Sequence, residues 1–326
     1  MTKHTPITGT EINGKSGSLF ERADSAFGLE KLGTAAVPKN LPRAKKPAAK
    51  APTRVAAPQA PVASQSPAPQ AEAQPSPVEP AVTLGGTFVE IDRELLRDQR
   101  LLVPGDPVNG LLEEFRIIKR ELLADARESR DPAARRVLLS SPHEGEGKTF
   151  CAANLAIALA AERDVEVLLI DADVMRPSIT QVFGIEEAQG FMDAIADPDV
   201  AAEELAIQTD IDGLFIMPAG SRSARDTEYL ASARTGEVLE RLTRGATNRY
   251  IIFDTPPALA ASPAAELAAY VGQALLIVRA DETSRAEIDD AQKLLSACPD
   301  LKLLLNAAQF SPSGRRFGNY RKGDEA

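Results

Sequence analysis

Ten consecutive residues, Ser140-Ser141-Pro142-His143-Glu144-Gly145-Glu146-Gly147-Lys148-Thr149, hold the densest chemistry in the chain. Backbone N–H groups of a glycine-rich turn, and of a helix that follows it, can converge on phosphate oxygens. A lysine adds a point charge there, and a threonine hydroxyl can ligate Mg²⁺. The fit to the common pattern G-x-x-x-x-G-K-[ST] is incomplete, because Pro142 stands where its first glycine belongs. Two carboxylate groups accompany the loop, Asp171-Ala172-Asp173 and Asp254-Thr255-Pro256-Pro257, each directly after an apolar run. A phosphate cradle, a cation, metal ligands and a candidate base are the parts that phosphoryl transfer requires. Together these residues predict a nucleoside-triphosphate site.

Such a site needs a scaffold that brings three distant segments to one edge. The apolar runs Val137–Leu139, Val167–Ile170, Leu214–Met217, Tyr250–Phe253, Leu275–Val278 and Leu303–Leu305 are nearly continuous in Val, Ile and Leu. Runs of that kind, rather than alternating ones, mark strands buried on both faces. Helical patterns lie between them, over Lys148–Arg163 for example, and a further helix is predicted from Asn109 to Glu128 with Leu112, Phe115, Ile118 and Leu122 on one face. The fold class is therefore α/β, a doubly wound and mainly parallel sheet. In open sheets of this type ligands bind outside the carboxyl ends of the strands, where the loop and all three aspartates fall.

The chain has 326 residues and a formal charge of −10. Residues 1–85 carry a net +4 and the remainder −14. An acidic main body with few aromatics argues against nucleic acid as a partner, since phosphate contacts need clustered Lys and Arg. Cys151 and Cys298 are too few for a disulfide framework or a zinc site. No stretch reaches the ~20 apolar residues that span a bilayer, and the first residues are polar where a signal peptide has its apolar core. The expected location is cytoplasmic. From Pro38 to Pro80 the chain is mostly Pro, Ala, Gln, Ser and Lys, with 11 of the 24 prolines, a composition that cannot offset its ordering entropy. The predicted organisation is an N-terminal segment (1–37) whose Leu19, Phe20, Ala23, Phe27 and Leu32 suit a short amphipathic helix for docking, a disordered linker (38–85), a nucleotide-binding domain (86–310) and a flexible tail (311–326).

Four stretches carry a resemblance: Glu144–Thr149, Leu168–Asp173, Ile251–Pro257, and Met217-Pro218-Ala219-Gly220 with Thr227–Ser232 beyond it. The chain resembles the bacterial tyrosine kinases of exopolysaccharide export, and looks closest to the autokinases that accompany exosortase polysaccharide loci. The resemblance covers about residues 91–306 and implies a P-loop NTPase of the ParA/MinD-like, deviant Walker kind, with ATP and Mg²⁺ as cofactors. It implies that Glu144, Gly145, Glu146, Gly147, Lys148, Thr149 and Phe150 cradle the nucleotide, and that Asn306 contacts adenine. Lys148 would bind the β- and γ-phosphates, Thr149, Asp171 and Asp254 would serve the metal, Asp171 would be the candidate base, and Asp173 would assist. Glu113, Arg116 and Lys119 match the family's E-x-x-R-x-x-R oligomerisation helix, with Lys in place of the last Arg.

The same resemblance implies a ring-forming homo-oligomer, recruited to the inner face of the cell membrane by a membrane-embedded chain-length determinant, or polysaccharide co-polymerase. The chain departs from the family in three places. Glu144 replaces a proline of the loop, Met175 stands where an arginine is usual with Arg176 one position later, and the tail offers one tyrosine, Tyr320, as phosphoacceptor instead of a cluster. Three readings follow: a tyrosine autokinase that regulates polysaccharide polymerisation and export, a ParA/MinD-like ATPase switch, and a nucleotide-binding regulator of the co-polymerase that transfers no phosphate. Against the switch, its upstream lysine pattern K-G-G-x-G-K-[ST] has His143 and Glu144 here.

Overall fold

The computed structural model describes residues 80–308. The predicted docking helix, nearly all of the linker, and the tail with Tyr320 lie outside the described residues. Eight strands form one sheet: β1 (Phe88–Val89), β2 (Arg136–Ser140), β3 (Glu166–Asp171), β4 (Ile207–Thr209), β5 (Leu214–Met217), β6 (Arg249–Asp254), β7 (Gln273–Arg279) and β8 (Leu301–Asn306). Their order is β1-β4-β5-β3-β6-β2-β7-β8. All six predicted strands are present. Every residue of β2 and β6 is buried, because helices cover both faces of the sheet. One face packs Phe115, Leu122, Leu155, Leu159 and Phe183 against it. The other packs Phe191, Leu230, Leu239, Leu267 and Leu295.

Two strands go beyond the sequence reading. β1 and β4 have two and three residues, too short to show a periodicity. β4 runs antiparallel to β5, with Ile207 opposite Ile216, whereas the other neighbouring pairs are parallel.

The site is positioned by β3, β6 and β2, which lie side by side in that order. Their register sets Asp171 opposite Asp254 and Asp254 opposite Leu139. Three strands thus end level with one another, and β2 leads directly into the glycine-rich loop. After α1 (Arg93–Asp98) come the two helices that matter most, α2 (Gly110–Glu128) and α3 (Lys148–Ala160). The Asn109 carboxamide caps α2 by accepting from Leu112 N at 2.9 Å. Phe115 and Leu122 of its predicted stripe are fully inside, while Leu112 and Ile118 pack at the margin of the core. Eleven of the 13 residues of α3 are buried. A helix apolar on all sides belongs in the interior, and α3 lies between α2 and the sheet. It stops three residues short of the predicted end.

Lys119, read from the sequence as the third residue of an assembly helix, turns inward instead. It is 6% exposed. Its ammonium donates to Ala158 O at 2.8 Å and pairs with Glu162 Oε1 at 2.8 Å. A cation here satisfies a carbonyl of the last turn of α3 and suits the negative end of the helix dipole. Glu113 and Arg116 pair with each other one turn away and are half-buried. Replacing Lys119 with Met strands a buried carbonyl, a loss of about 1–3 kcal/mol. The expected result is a thermal midpoint lower by several degrees, about 2–4 °C per kcal/mol at this size, measured by differential scanning calorimetry of the full chain. An unchanged midpoint would refute the assigned contact.

Candidate active site

The glycine-rich loop leaves β2 at Ser140 and enters α3 at Lys148. Gly145 and Gly147 have φ of 76° and 95°, in the left-handed region that glycine adopts without strain. Gly147 is fixed a second way, since a Cβ there would come within 2.1 Å of Asn306 Nδ2. As N-cap of α3 it offers no side chain to the helix N–H groups. The first turn of α3 is therefore open to an anion at its positive end.

The rest of the loop is latched from several sides. Glu146 is 4% exposed. Its carboxylate accepts from His143 N at 2.8 Å and from the Thr283 hydroxyl. Asn306 Nδ2 donates to Glu146 O at 2.8 Å, and Arg279 donates to Gly145 O at 3.3 Å. His143 Nε2 meets Glu287 Oε1 at 3.0 Å. Glu287 also accepts from Ser284 N and from this imidazole, which together hold its carboxyl down at about 2. Arg279, Thr283 and Glu287 come from the carboxyl end of β7 and the segment after it. The sequence reading missed them, because single polar residues after an apolar strand carry no pattern of their own.

The three aspartates differ in their surroundings. Asp254 has 1% exposure. Its Oδ2 accepts from the Thr149 hydroxyl at 2.6 Å, and its Oδ1 is buried without a protein partner among the described residues. Thr149 Oγ1 also lies 3.0 Å from Ser178 Oγ. Asp171 is fully buried. It accepts three backbone N–H bonds, from Asp173 at 3.1 Å, Ser178 at 2.8 Å and Ile179 at 2.9 Å. Its geometry is that of a residue that folds the following loop around itself. Asp173 is 9% exposed and accepts from Arg176 N at 3.1 Å. Desolvation drives all three carboxyls upward: Asp254 to about 7, Asp171 to about 6 against its three N–H bonds, and Asp173 in the same direction.

Most of the predicted site thus converges on one edge. Lys148, at 9% exposure, follows Gly147, with Thr149 next to it against Asp254. Two predicted nucleotide contacts lie differently. Phe150 packs at the margin of the core beneath the loop, and Asn306 uses its side chain on the loop backbone and on Ala307 N at 2.8 Å. Among the described residues no three Asp, Glu, His or Cys side chains cluster as a metal site by themselves. Mg²⁺ does not require such a cluster, because it is held through one or two carboxylates, waters and substrate phosphates. The donor set fits that role: a threonine hydroxyl, and a buried carboxylate with one oxygen unused.

Between the segment after β3 and the one after β5 lies an open cleft of about 570 Å³, lined by Val174, Met175, Pro177, Thr180, Gly220 and Arg222 among others.

Comparison with known proteins agrees with this fold. The AAA domain family model matches residues 135–302, from the first residue before β2 into β8. EpsB of Ralstonia solanacearum is 31% identical over 252 residues, covering 74% of this chain and 32% of its own length. Tyrosine-protein kinase YwqD of Bacillus subtilis is 28% identical over 217 residues, 65% of this chain and 87% of that protein. The chain spans about a third of the length of the first relatives it matches. Among solved structures, the BceF tyrosine kinase domain is 26% identical with a TM-score of 0.52, covering 68% of this chain and 93% of that one. The kinase domain of Escherichia coli tyrosine kinase ETK superposes with a TM-score of 0.53 at 22% identity, over 71% of this chain and 93% of that one, a likeness of fold.

The raised aspartates have a thermodynamic sign. A carboxyl whose folded value lies above its unfolded one contributes stability that is fully present below the unfolded value, near 4, and lost as pH rises through the folded value. For Asp171 and Asp254 that window runs from about 4 to about 7. The nucleotide-free protein should therefore weaken across it. Asp254→Asn should raise the thermal midpoint at pH 8 by several degrees, with a smaller gain at pH 5. Equal effects at both pH values in a thermal melt series would refute the buried carboxylate as the source.

Proposed function

This chain belongs to the AAA domain family and, within it, to the bacterial tyrosine kinases, and from that premise we propose that it is an ATP-dependent protein-tyrosine autokinase regulating exopolysaccharide polymerisation and export. The single observation that carries the metal–nucleotide site in this reading is Asp254 Oδ1, a buried carboxylate oxygen with no protein partner among the described residues, beside the Thr149 hydroxyl and the open N-terminus of α3. Such an oxygen is costly unless a cation completes it.

In this reading the first turn of α3, with Gly145 and Gly147, binds the phosphates, and Lys148 places its charge against the β- and γ-groups. Thr149 and Asp254 hold Mg²⁺, which supplies charge neutralisation across the phosphate oxygens when bound. Asp171 accepts three N–H groups, two on Oδ2 and one on Oδ1, which orients the 173–179 loop and leaves Oδ1 capacity for the proposed roles of base and metal residue. Asp173, the more open of the two, would assist. The acceptor side chain would enter through the cleft beside Met175 and Arg222.

Tyr320 is the proposed acceptor. The tyrosines of the described residues suit that role less, since Tyr250 is 5% exposed, Tyr270 donates its hydroxyl to Ser232 O, and Tyr229 packs against the core. The proposed partners are further copies of the chain, through Glu113 and Arg116, and a membrane-embedded co-polymerase. Among the described residues no helix is long and apolar enough to cross a membrane.

Purified full-length protein incubated with ATP and Mg²⁺, with the cytoplasmic end of a co-polymerase added, should acquire phosphotyrosine detectable by intact mass and site mapping. Lys148→Met should lower it at least about a hundredfold, the range seen when one charge-stabilising donor is lost, and Tyr320→Phe should remove the principal site. ADP production with no phosphotyrosine would overturn the kinase reading in favour of an ATPase switch.

A further inference from the structure

Two of the three departures from the family pattern face each other. Glu144, in the glycine-rich loop, and Arg176, after β3, form an ion pair that bridges the two segments flanking the phosphate cradle. We propose that Arg176 is the residue that tells a nucleoside triphosphate from a diphosphate, and that Glu144 holds its guanidinium until a γ-phosphate takes it over.

The backbone of Arg176 is anchored at the site, because its N–H lies 3.1 Å from both Asp173 Oδ1 and Asp173 O. Only the side chain is free to change partner, and its side chain is 70% exposed against 56% for Glu144. The neighbouring position cannot substitute. Met175 carries no charge, is 53% exposed and directs its sulfur to Arg222, 3.1 Å from Nη2. Through its N–H on Asp173 and its guanidinium on Glu144 of the glycine-rich loop, Arg176 lies at the rim of the same cradle that Lys148 enters.

The exchange is favourable in direction. An ion pair this exposed contributes little, whereas a guanidinium forks onto phosphate oxygens with two charge-assisted bonds. A γ-phosphate also adds negative charge beside Glu144, which pushes the carboxylate out as the guanidinium turns in. A diphosphate, one group shorter, leaves the pair closed.

This inference rests on the nucleotide site proposed above, and its test separates the two. Full-length wild type, Glu144→Gln, Arg176→Gln and the double variant are titrated with a non-hydrolysable ATP analogue and with ADP, each with Mg²⁺, by isothermal titration calorimetry. Thermal melts confirm that each variant is folded. Arg176→Gln should weaken the triphosphate about tenfold and leave ADP within about twofold. Glu144→Gln should tighten the triphosphate by up to about fivefold, the ceiling for an exposed pair. In the Arg176→Gln background the same change should move both nucleotides alike. Equal loss of both nucleotides in Arg176→Gln, or weaker triphosphate binding in Glu144→Gln, would overturn the proposal while leaving the nucleotide site in place. Failure of wild type to bind either nucleotide would overturn the site itself.

Discussion

A carboxylate buried at the end of a central strand is the constraint around which the fold is arranged. Asp254 has one oxygen on Thr149 and the other without a partner among the described residues, so the fold carries a desolvation cost at this point that the surrounding described atoms do not return. What makes the position tenable is the packing around it. β6 runs between β3 and β2, buried along its whole length, with apolar clusters on both faces. A core this well filled can impose an unfavourable position on one side chain, as active sites commonly require. The parallel register then sets Asp171 opposite Asp254 and the glycine-rich loop beyond Leu139. The chemistry at the sheet edge is a consequence of strand order.

Much of this was legible in the sequence because the relevant signals are local. Continuous Val/Ile/Leu runs report strands buried on both faces, and glycines before Lys148 report a turn that enters a helix. β1 and β4 escaped because two- and three-residue strands have no period, and because their pairing is decided by neighbours distant in the chain. Lys119 shows the same limit from the other side. Its charge and its spacing from Glu113 and Arg116 suggested a surface, yet its alkyl stem lies in the core and its ammonium finds a helix end 39 positions away. Whether a lysine on an amphipathic helix faces water or a carbonyl depends on what packs against it.

Polar latches were the least legible features. Asn306 closes the last strand, and that much the sequence suggested. Its bond to Glu146 O crosses from the edge of the sheet to the loop, over 160 positions. Glu144 and Arg176 each looked like a departure from a pattern when read separately. In the fold they are one interaction, with a charge added on one segment and met on the other. Paired departures of this kind are visible only when the two segments are set side by side.

The helix that opens on the phosphate cradle closes on Lys119. Thirteen residues at 1.5 Å each make α3 a rod of about 20 Å, with a ligand site at one tip and, at the other, a cation that belongs to α2. A rod fixed at both tips cannot shift at one without disturbing the other. By thermodynamic linkage, whatever a ligand at the cradle gained from one setting of α2, a change imposed on α2 would return to the cradle in equal measure.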